Sequence, residues 1–332
     1  MAGYKVAVVG ASGAVGRTVV RVLWERKFPV SELKLFATSR SAGSAVDFGG
    51  VPVEVREMNM QGIAGADFAF FCATPGVSKE FAPGLASSGT VVIDKSSYFR
   101  MDPSVPLVVP EVNPHHLSGH RGIVASPNCS TIQLVVAINP IHALSRIKRL
   151  FVSSYQSVSG TGLEAIEELI SQSRASLEGG DISPGVYPRQ IAFNALPHID
   201  SFDASGYTGE ELKLVNETRK ILDEPGMRIT ATAVRVPVVY CHSEAVTIET
   251  EDRLDMEDIL RGLSAAPGVS LARDAASYHT AVECAGRDEV FVSRVRKDLA
   301  LENGVSMWVV ADNLRKGAAT NAVQIAENLA GA

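Results

Sequence analysis

The sequence predicts an α/β protein of two domains, a doubly wound parallel sheet followed by an α+β domain. Short apolar runs alternate with helical stretches as far as about residue 128. Longer runs rich in β-branched residues, several of them alternating apolar and polar, fill most of the remainder. At roughly 150 residues per domain, 332 residues make two.

The first run, Lys5–Val9, ends at Gly10, and helical spacing of Val15, Val19, Val20, Val22 and Leu23 follows from Gly13 to about Arg26. Further short strands are expected at Leu33–Thr38, Phe68–Cys72, Thr90–Asp94, Leu107–Val109 and Gly122–Ala125. A helical stretch at Thr131–Ile138 comes next. In the second half, strands are expected at Arg149–Val158, Met227–Val239, Glu244–Thr250, Glu289–Arg296 and Val305–Ala311, forming a mostly antiparallel sheet covered on one face by helices. Those helices are Leu163–Leu177, Gly209–Leu222 and Met256–Ala265. Asn313–Ala330 has helical spacing and closes the chain, and Glu178–Pro188, with several Gly and Pro, reads as an exposed excursion.

Composition narrows the function. Hydrophobic residues make up 46% and charged residues 20%, ordinary for a globular protein with a substantial core. A net charge of −6 gives no broad basic surface for nucleic acid or anionic membrane, so an anionic substrate needs a local cluster of Arg and Lys. The 4 cysteines, Cys72, Cys129, Cys241 and Cys284, are widely spaced and form no CxxC pair, which speaks against a disulfide framework or zinc knuckle. No signal peptide and no apolar run near the roughly 20 residues of a membrane span is present, and a reducing, cytoplasmic setting is expected.

Gly10-Ala11-Ser12-Gly13-Ala14-Val15-Gly16 follows a strand and opens a helix. In that context a glycine pattern reads as a Rossmann-type nucleotide loop, in which backbone N–H groups approach a pyrophosphate at a helix N-terminus. The alternative is a strand–helix turn packed tightly for its own sake. An NAD site usually places Asp or Glu after the second strand to hold the ribose. Thr38-Ser39-Arg40-Ser41 stands there instead and suits the 2′-phosphate of NADP, unless Arg40 is only a solvated loop residue.

Ser126-Pro127-Asn128-Cys129-Ser130-Thr131 lies between a strand and a helix. A cysteine at a helix N-terminus faces the positive end of the dipole, which favours the thiolate. Position alone leaves Cys129 open between nucleophile and structural thiol. Among the 7 histidines, His115, His116 and His120 crowd a polar loop, where no Cys or carboxylate spacing supports a metal. His242, in Cys241-His242-Ser243-Glu244, lies just past an expected strand, with Arg235 upstream, and is the candidate base.

Together these motifs resemble aspartate-semialdehyde dehydrogenase along nearly the whole chain. The matching stretches are Val6–Gly16, Ala37–Gly43, Val77–Pro83, Val92–Met101, Ser126–Ile132, Tyr155–Gly162, Arg235–Val246, Asp288–Asp298 and Asp312–Glu327. The most specific are the cysteine motif, Tyr155-Gln156-Ser157-Val158-Ser159-Gly160, and Arg235-Val236-Pro237 leading to His242-Ser243-Glu244.

The resemblance implies that Cys129 is the nucleophile, His242 the acid/base and Gln156 an orienting residue for substrate or acyl-enzyme. It implies that Arg235 binds the substrate α-carboxylate and Arg100 phosphate. Glu210 and Lys213 match a Glu-x-x-Lys pair for the substrate amino group and phosphate, and spacing i,i+3 puts both on one helix face. Gly10, Ser12, Gly13, Ala14, Val15, Arg40, Ser41, Ser159, Gly160 and Asn321 are the implied NADP contacts, and no metal is required. The implied activity is NADPH-dependent conversion of L-aspartyl 4-phosphate to L-aspartate 4-semialdehyde, with release of phosphate, through a cysteine thioester.

The implied architecture is an NADP-binding domain at 1–128 and a catalytic and dimerisation domain at 129–312. The latter resembles the C-terminal domain of glyceraldehyde-phosphate dehydrogenase, and helix 313–332 packs back on the first domain. Small-molecule substrates are the expected partners, with neither nucleic acid nor membrane. A homodimer or dimer of dimers is implied, pairing through the second domain's sheet face.

Four features depart from the family pattern: Lys95 in place of Asn, Tyr98 in place of a smaller residue or Trp, Ser126 in place of Asn, and the loop Thr74-Pro75-Gly76. Among rivals, N-acetyl-glutamyl-phosphate reductases carry Pro-Gly-Cys-Tyr-Pro where this chain has Pro127-Asn128-Cys129-Ser130-Thr131. A paralogue retired from catalysis should have lost Cys129, Arg235 or His242, and all are present. A nucleotide-binding regulatory module leaves the second domain's motifs unexplained.

Overall fold

A computed structural model describes residues 3–331. Two compact units emerge among the described residues, one of residues 3–128 with 318–331 and the other of residues 129–317.

In the first unit, β1 (Tyr4–Val9), β2 (Val30–Ala37), β3 (Ala45–Phe48), β4 (Val51–Glu57), β5 (Phe68–Phe71), β6 (Val91–Asp94) and β7 (Ile123–Ala125) form one sheet in the order β3-β4-β2-β1-β5-β6-β7. All pairings are parallel except β3–β4, whose turn residues Gly49 and Gly50 both have positive φ, as a tight two-residue hairpin requires. Helices α1 (Ala14–Glu25), α2 (Met60–Ile63) and α3 (Pro75–Ser87) accompany the sheet. Val19, Val20, Val22 and Leu23 of α1 are buried against Val6, Val8 and Leu35. Burying each such side chain stabilises the fold by about 1.5–3 kcal/mol.

The expected strand at Leu107–Val109 makes only a bridge from Leu107 to Ala125. Pro106 and Pro110 bracket the run and leave no room for a longer ladder. Helix α3 was hidden by Pro75, Gly76, Pro83 and Gly84. Pro75 sits in the first turn, where its missing N–H costs nothing.

In the second unit, α4 (Cys129–His142) leads into β8 (Ile147–Gln156), α5 (Leu163–Glu178) and α6 (Gly209–Ile221). There follow β9 (Arg228–Arg235), β10 (His242–Thr250), α7 (Met256–Ala265), β11 (Val269–Leu271), α8 (Ala281–Cys284), β12 (Val290–Lys297) and β13 (Gly304–Ala311). The sheet order is β11-β12-β13-β10-β8-β9. Its central ladders are antiparallel, while β9 and β11 join the edges in parallel, so the sheet is more mixed than the alternation implied. Leu150, Val152 and Ser154 of β8 are buried, while Phe151 and Tyr155 on the other face are exposed. Of the excursion expected at Glu178–Pro188, Tyr187 is an exception and packs with Val158, Leu169 and Ile191.

The closing segment is two elements rather than one. A π-helical turn, Arg315–Thr320, precedes α9 (Asn321–Ala330), and Ala322, Val323, Ile325 and Ala326 join the core of the first unit. No helix among the described residues is long and apolar enough to cross a membrane.

Candidate active site

The catalytic candidates converge in the second unit. Cys129 is the first residue of α4 and is partly exposed. Burial pushes Cys72 and Cys284 up to about 12 and Cys241 up as well, so these three stay protonated thiols and are unsuited to attack.

Gln156 ends β8, where the two N–H donors of its buried Nε2 lie within hydrogen-bond distance of Ser130 Oγ (2.8 Å), Ser154 Oγ (3.2 Å) and Glu210 Oε1 (3.1 Å). This ties the first turn of α4 to α6. Thr208 caps α6 with a capping box: Thr208 Oγ1 accepts from the Glu211 amide (3.3 Å) and Glu211 Oε2 from the Thr208 amide (2.8 Å). Glu211 Oε1 also accepts from the Ala233 amide of β9 (3.0 Å), anchoring α6 to the sheet.

On the same helix Lys213 Nζ bridges Glu210 Oε2 (3.3 Å) and Asp200 Oδ2 (2.8 Å). Burial pulls Lys213 down, but Glu210 and Asp200 outweigh it and hold the ammonium above its ordinary value. Lys213 in turn lowers Asp200.

Arg235 ends β9 and is 5% exposed. Its Nη1 donates to the Ser157 carbonyl at 2.6 Å, and the guanidinium lies 5.8 Å from the Tyr187 ring centroid. Its Nε is buried without a partner, a donor left for a ligand. A planar cation with spare donors suits a carboxylate.

His242 is not past a strand but opens β10. Strand β9 stops at Arg235, since Pro237 cannot extend its ladder, and Cys241 turns the chain through left-handed backbone (φ +71°). Burial, reinforced by Arg235, pushes His242 down to about 3, so the ring is neutral. A Cβ on Gly160 would stand 3.4 Å from both His242 Nε2 and Arg235 Nη1, so the two side chains flank the glycine.

In the first unit, Gly10 (φ +79°) and Gly16 are required by packing: a Cβ would meet Cys72 O at 2.4 Å and Gly10 O at 2.2 Å respectively. Gly13, the N-cap of α1, would tolerate a Cβ, which would stand 3.5 Å from Gly10 O, and no side chain caps that helix, so the dipole end is left to an anionic ligand. Arg40 is exposed in the turn Ser39–Ser41 after β2, and no carboxylate stands there. Asn321 is fully buried. Its Nδ2 donates to Val108 O and Ser126 Oγ, both at 3.0 Å, while Oδ1 has no partner and can receive a cofactor N–H or O–H. These residues fit a dinucleotide.

Arg100 is nearly buried and its Nη2 donates to the Lys95 carbonyl at 2.8 Å. Two of the departures meet here: Lys95 Nζ donates to Ser126 Oγ at 2.9 Å, so the exchanged residues partner each other. Asp94 holds the same loop through Ser78 Oγ and Ser96 Oγ. Sequence reasoning gave no site role to Ser130, Asp200 or Asn313, whose partners Gln156, Lys213 and Ser157 stand 26, 13 and 156 residues away in the chain.

A nucleotide loop on a parallel sheet, with a Cys/His/Arg constellation in a second α+β unit, defines an oxidoreductase of the semialdehyde dehydrogenase class. Family profiles agree: "Semialdehyde dehydrogenase, NAD binding domain" matches residues 5–120 and "Semialdehyde dehydrogenase, dimerisation domain" residues 138–316. An aspartate-semialdehyde dehydrogenase of Aquifex aeolicus is 53% identical over 98% of each chain, and one of Bacillus subtilis is 47% identical over 98% of this chain and 97% of its own. The crystal structure of aspartate semialdehyde dehydrogenase II from Vibrio cholerae superposes with TM-score 0.96 at 46% identity, covering 99% of each chain. A second Vibrio cholerae structure, complexed with ASA, gives 0.95 at 46%, covering 99% of this chain and 98% of that one. The chain belongs to the aspartate-semialdehyde dehydrogenase family.

Proposed function

We propose that this chain converts L-aspartyl 4-phosphate to L-aspartate 4-semialdehyde and phosphate, a step in making lysine, threonine, methionine and isoleucine. The observation that carries this reading is the buried set Gln156, Glu210, Arg235 and His242 gathered in the unit whose α4 begins at Cys129. Cys129 attacks the acyl carbon, phosphate leaves, and a thioester remains. When bound, NADPH supplies the hydride for its reduction. Collapse of the thiohemiacetal then frees the aldehyde and returns the thiolate. A thiolate suits both steps because it attacks well and leaves well.

In this reading Arg235 binds the α-carboxylate, and Glu210, a buried carboxylate, receives the amino group. Lys213 and Arg100 take phosphate, Gln156 orients the acyl group, and His242 assists proton transfer. Ser12, Gly13, Ala14 and Val15 hold the cofactor's pyrophosphate at the N-terminus of α1. Arg40 and Ser41 select the 2′-phosphate of NADP over the bare ribose of NAD. Gly10, Ser159, Gly160 and Asn321 complete the cofactor contacts. The exposed sheet face carrying Phe151, Tyr155 and Trp308 pairs with a second copy in a homodimer, and the protein works in the cytoplasm.

The test is phosphate-dependent reduction of NADP with L-aspartate 4-semialdehyde, run beside Cys129→Ala. Activity that needs phosphate and vanishes in the folded variant is expected. A folded wild type that binds NADP without turnover would overturn the assignment.

A further inference from the structure

The stretch between α5 and α6 is tied to α5 and reaches Arg235 twice. Glu168 of α5 accepts from the amides of Gly185 (3.3 Å) and Val186, and Gln172 Oε1 accepts from those of Ile191 (2.9 Å) and Ala192 (3.2 Å). Between these anchors Tyr187 is nearly buried and packs with Val158, Leu169, Ile191 and Leu196. Leu196 in turn exchanges backbone hydrogen bonds with Arg235, at 2.9 and 2.8 Å.

Packing alone would leave the hydroxyl and the ring face of Tyr187 without assigned partners. Both have one. The hydroxyl lies 2.9 Å from Thr161 Oγ1, and the Arg235 guanidinium stands over the ring, 5.8 Å from its centroid. Burial raises the phenol above its ordinary value, against the opposing pull of Arg235 and Thr161, so the ring is neutral and meets Arg235 as an aromatic face, not as an anion. The turn Ser157–Thr161 serves both residues: the Ser157 carbonyl accepts from Arg235 Nη1, and the Thr161 hydroxyl meets Tyr187.

One hydrogen bond fixes a point of a guanidinium and leaves its plane free to swing. A contact on the face removes that freedom. With Nη1 held by Ser157 and the face held by Tyr187, the opposite edge, Nε and Nη2, has a set direction. Nε is buried and has no partner. Such an edge presents two parallel N–H groups, the geometry a carboxylate accepts. A group already held in its binding orientation loses less freedom when the ligand arrives.

We propose that Tyr187 is a positioning residue for the substrate's α-carboxylate, holding the guanidinium plane of Arg235 so that one edge is set for it. This rests on the proposed role of Arg235. Tyr187 acts through Arg235 and takes no part in the chemistry at Cys129, so its loss raises KM and leaves kcat in place.

The test is steady-state phosphate-dependent NADP reduction by Tyr187→Leu and Tyr187→Phe, both confirmed folded by circular dichroism, and by Tyr187→Leu combined with Arg235→Leu. Tyr187→Leu should raise KM for L-aspartate 4-semialdehyde about 10- to 30-fold with kcat within about twofold, the loss of one desolvated cation–ring contact. Tyr187→Phe keeps the ring and should recover most of that loss. With Arg235 already replaced, Tyr187→Leu should add less than about twofold. An unchanged KM in Tyr187→Leu, a fall in kcat instead, or an undiminished cost beside Arg235→Leu would overturn the proposal. A wild-type KM in Arg235→Leu alone would overturn the carboxylate role of Arg235, and the proposal with it, so the two failures are told apart. Calorimetric binding of L-2-aminobutyrate, which carries the same α-amino acid end without an aldehyde, needs no turnover. Tyr187→Leu should weaken it by the same factor, and equal binding by variant and wild type would overturn the proposal whether or not the proposed reaction occurs.

Discussion

Gly317 offers a direct probe of how tightly Cys129 is placed. It lies in the π-helical turn Arg315–Thr320, and its backbone is not in the left-handed region, so alanine is conformationally acceptable there. A Cβ at 317 would stand 2.9 Å from Cys129 Cβ and 3.3 Å from its Cα. Carbon atoms pack comfortably at about 3.5 Å or more, so the methyl group must displace the cysteine or itself by roughly 0.6 Å. Overpacking of this kind costs about 1–3 kcal/mol in stability. A misplacement of about 1 Å at a reacting group can cost about 100-fold in rate, so Gly317→Ala should lower kcat by roughly 10- to 100-fold. KM should change little, because Arg235, Glu210 and Lys213 are untouched. The assay is steady-state phosphate-dependent NADP reduction, paired with the rate of Cys129 alkylation by iodoacetamide in the folded variant. Unchanged kcat and unchanged alkylation would refute the claim that Gly317 sets the position of the nucleophile.

Two further outcomes follow from buried polar groups. Glu244 is fully buried, and burial raises its carboxyl well above the ordinary value, so it is neutral in the fold and ionises only on unfolding. Its stabilising contribution is full below the unfolded value near about 4.3 and is lost as pH rises towards the folded value, at about 1.4 kcal/mol per pH unit. Glu244→Gln should therefore gain on the wild type in urea midpoint between pH 5 and pH 8, and an equal difference at both pH values would count against this. Thr208→Ala removes one half of the α6 capping box and should cost about 1 kcal/mol. Because α6 carries Glu210 and Lys213, KM should rise while kcat holds, which thermal melts and initial rates can separate.

The readable parts of the molecule were those written locally. The glycine loop lies between a strand and a helix, Cys129 sits at a helix start, and Glu210 and Lys213 share a helix face; each is a pattern within a few residues. The hairpin Ala45–Glu57 is equally local, marked by Gly49-Gly50 between two short runs, but its strands are short and partly polar and so give little periodic signal. Other features depend on distant partners. His242 was placed beyond a strand because the apolar run through Val239 looks continuous, although Pro237 ends β9 and Cys241 turns the chain into β10. Asn313 joins Ser157, Ser159 and Cys241 across up to 156 residues of sequence, a constellation visible only after folding. Lys95 and Ser126 looked like separate departures, and their hydrogen bond makes them one exchange.

The placement of the nucleophile follows from the character of α4. An amphipathic helix has a wet face on which it can rock, but α4 is apolar nearly all round and packs among β8, β10, β12, β13, α6 and α7. Ser130 to Ile138 are all buried, and Gln133 Nε2 donates to the His242 carbonyl at 3.3 Å. Interiors packed to this density transmit displacement instead of absorbing it. The dipole end bearing Cys129 and the strand bearing His242 are therefore parts of one rigid body. This is why a single methyl group at Gly317 is expected to alter the rate.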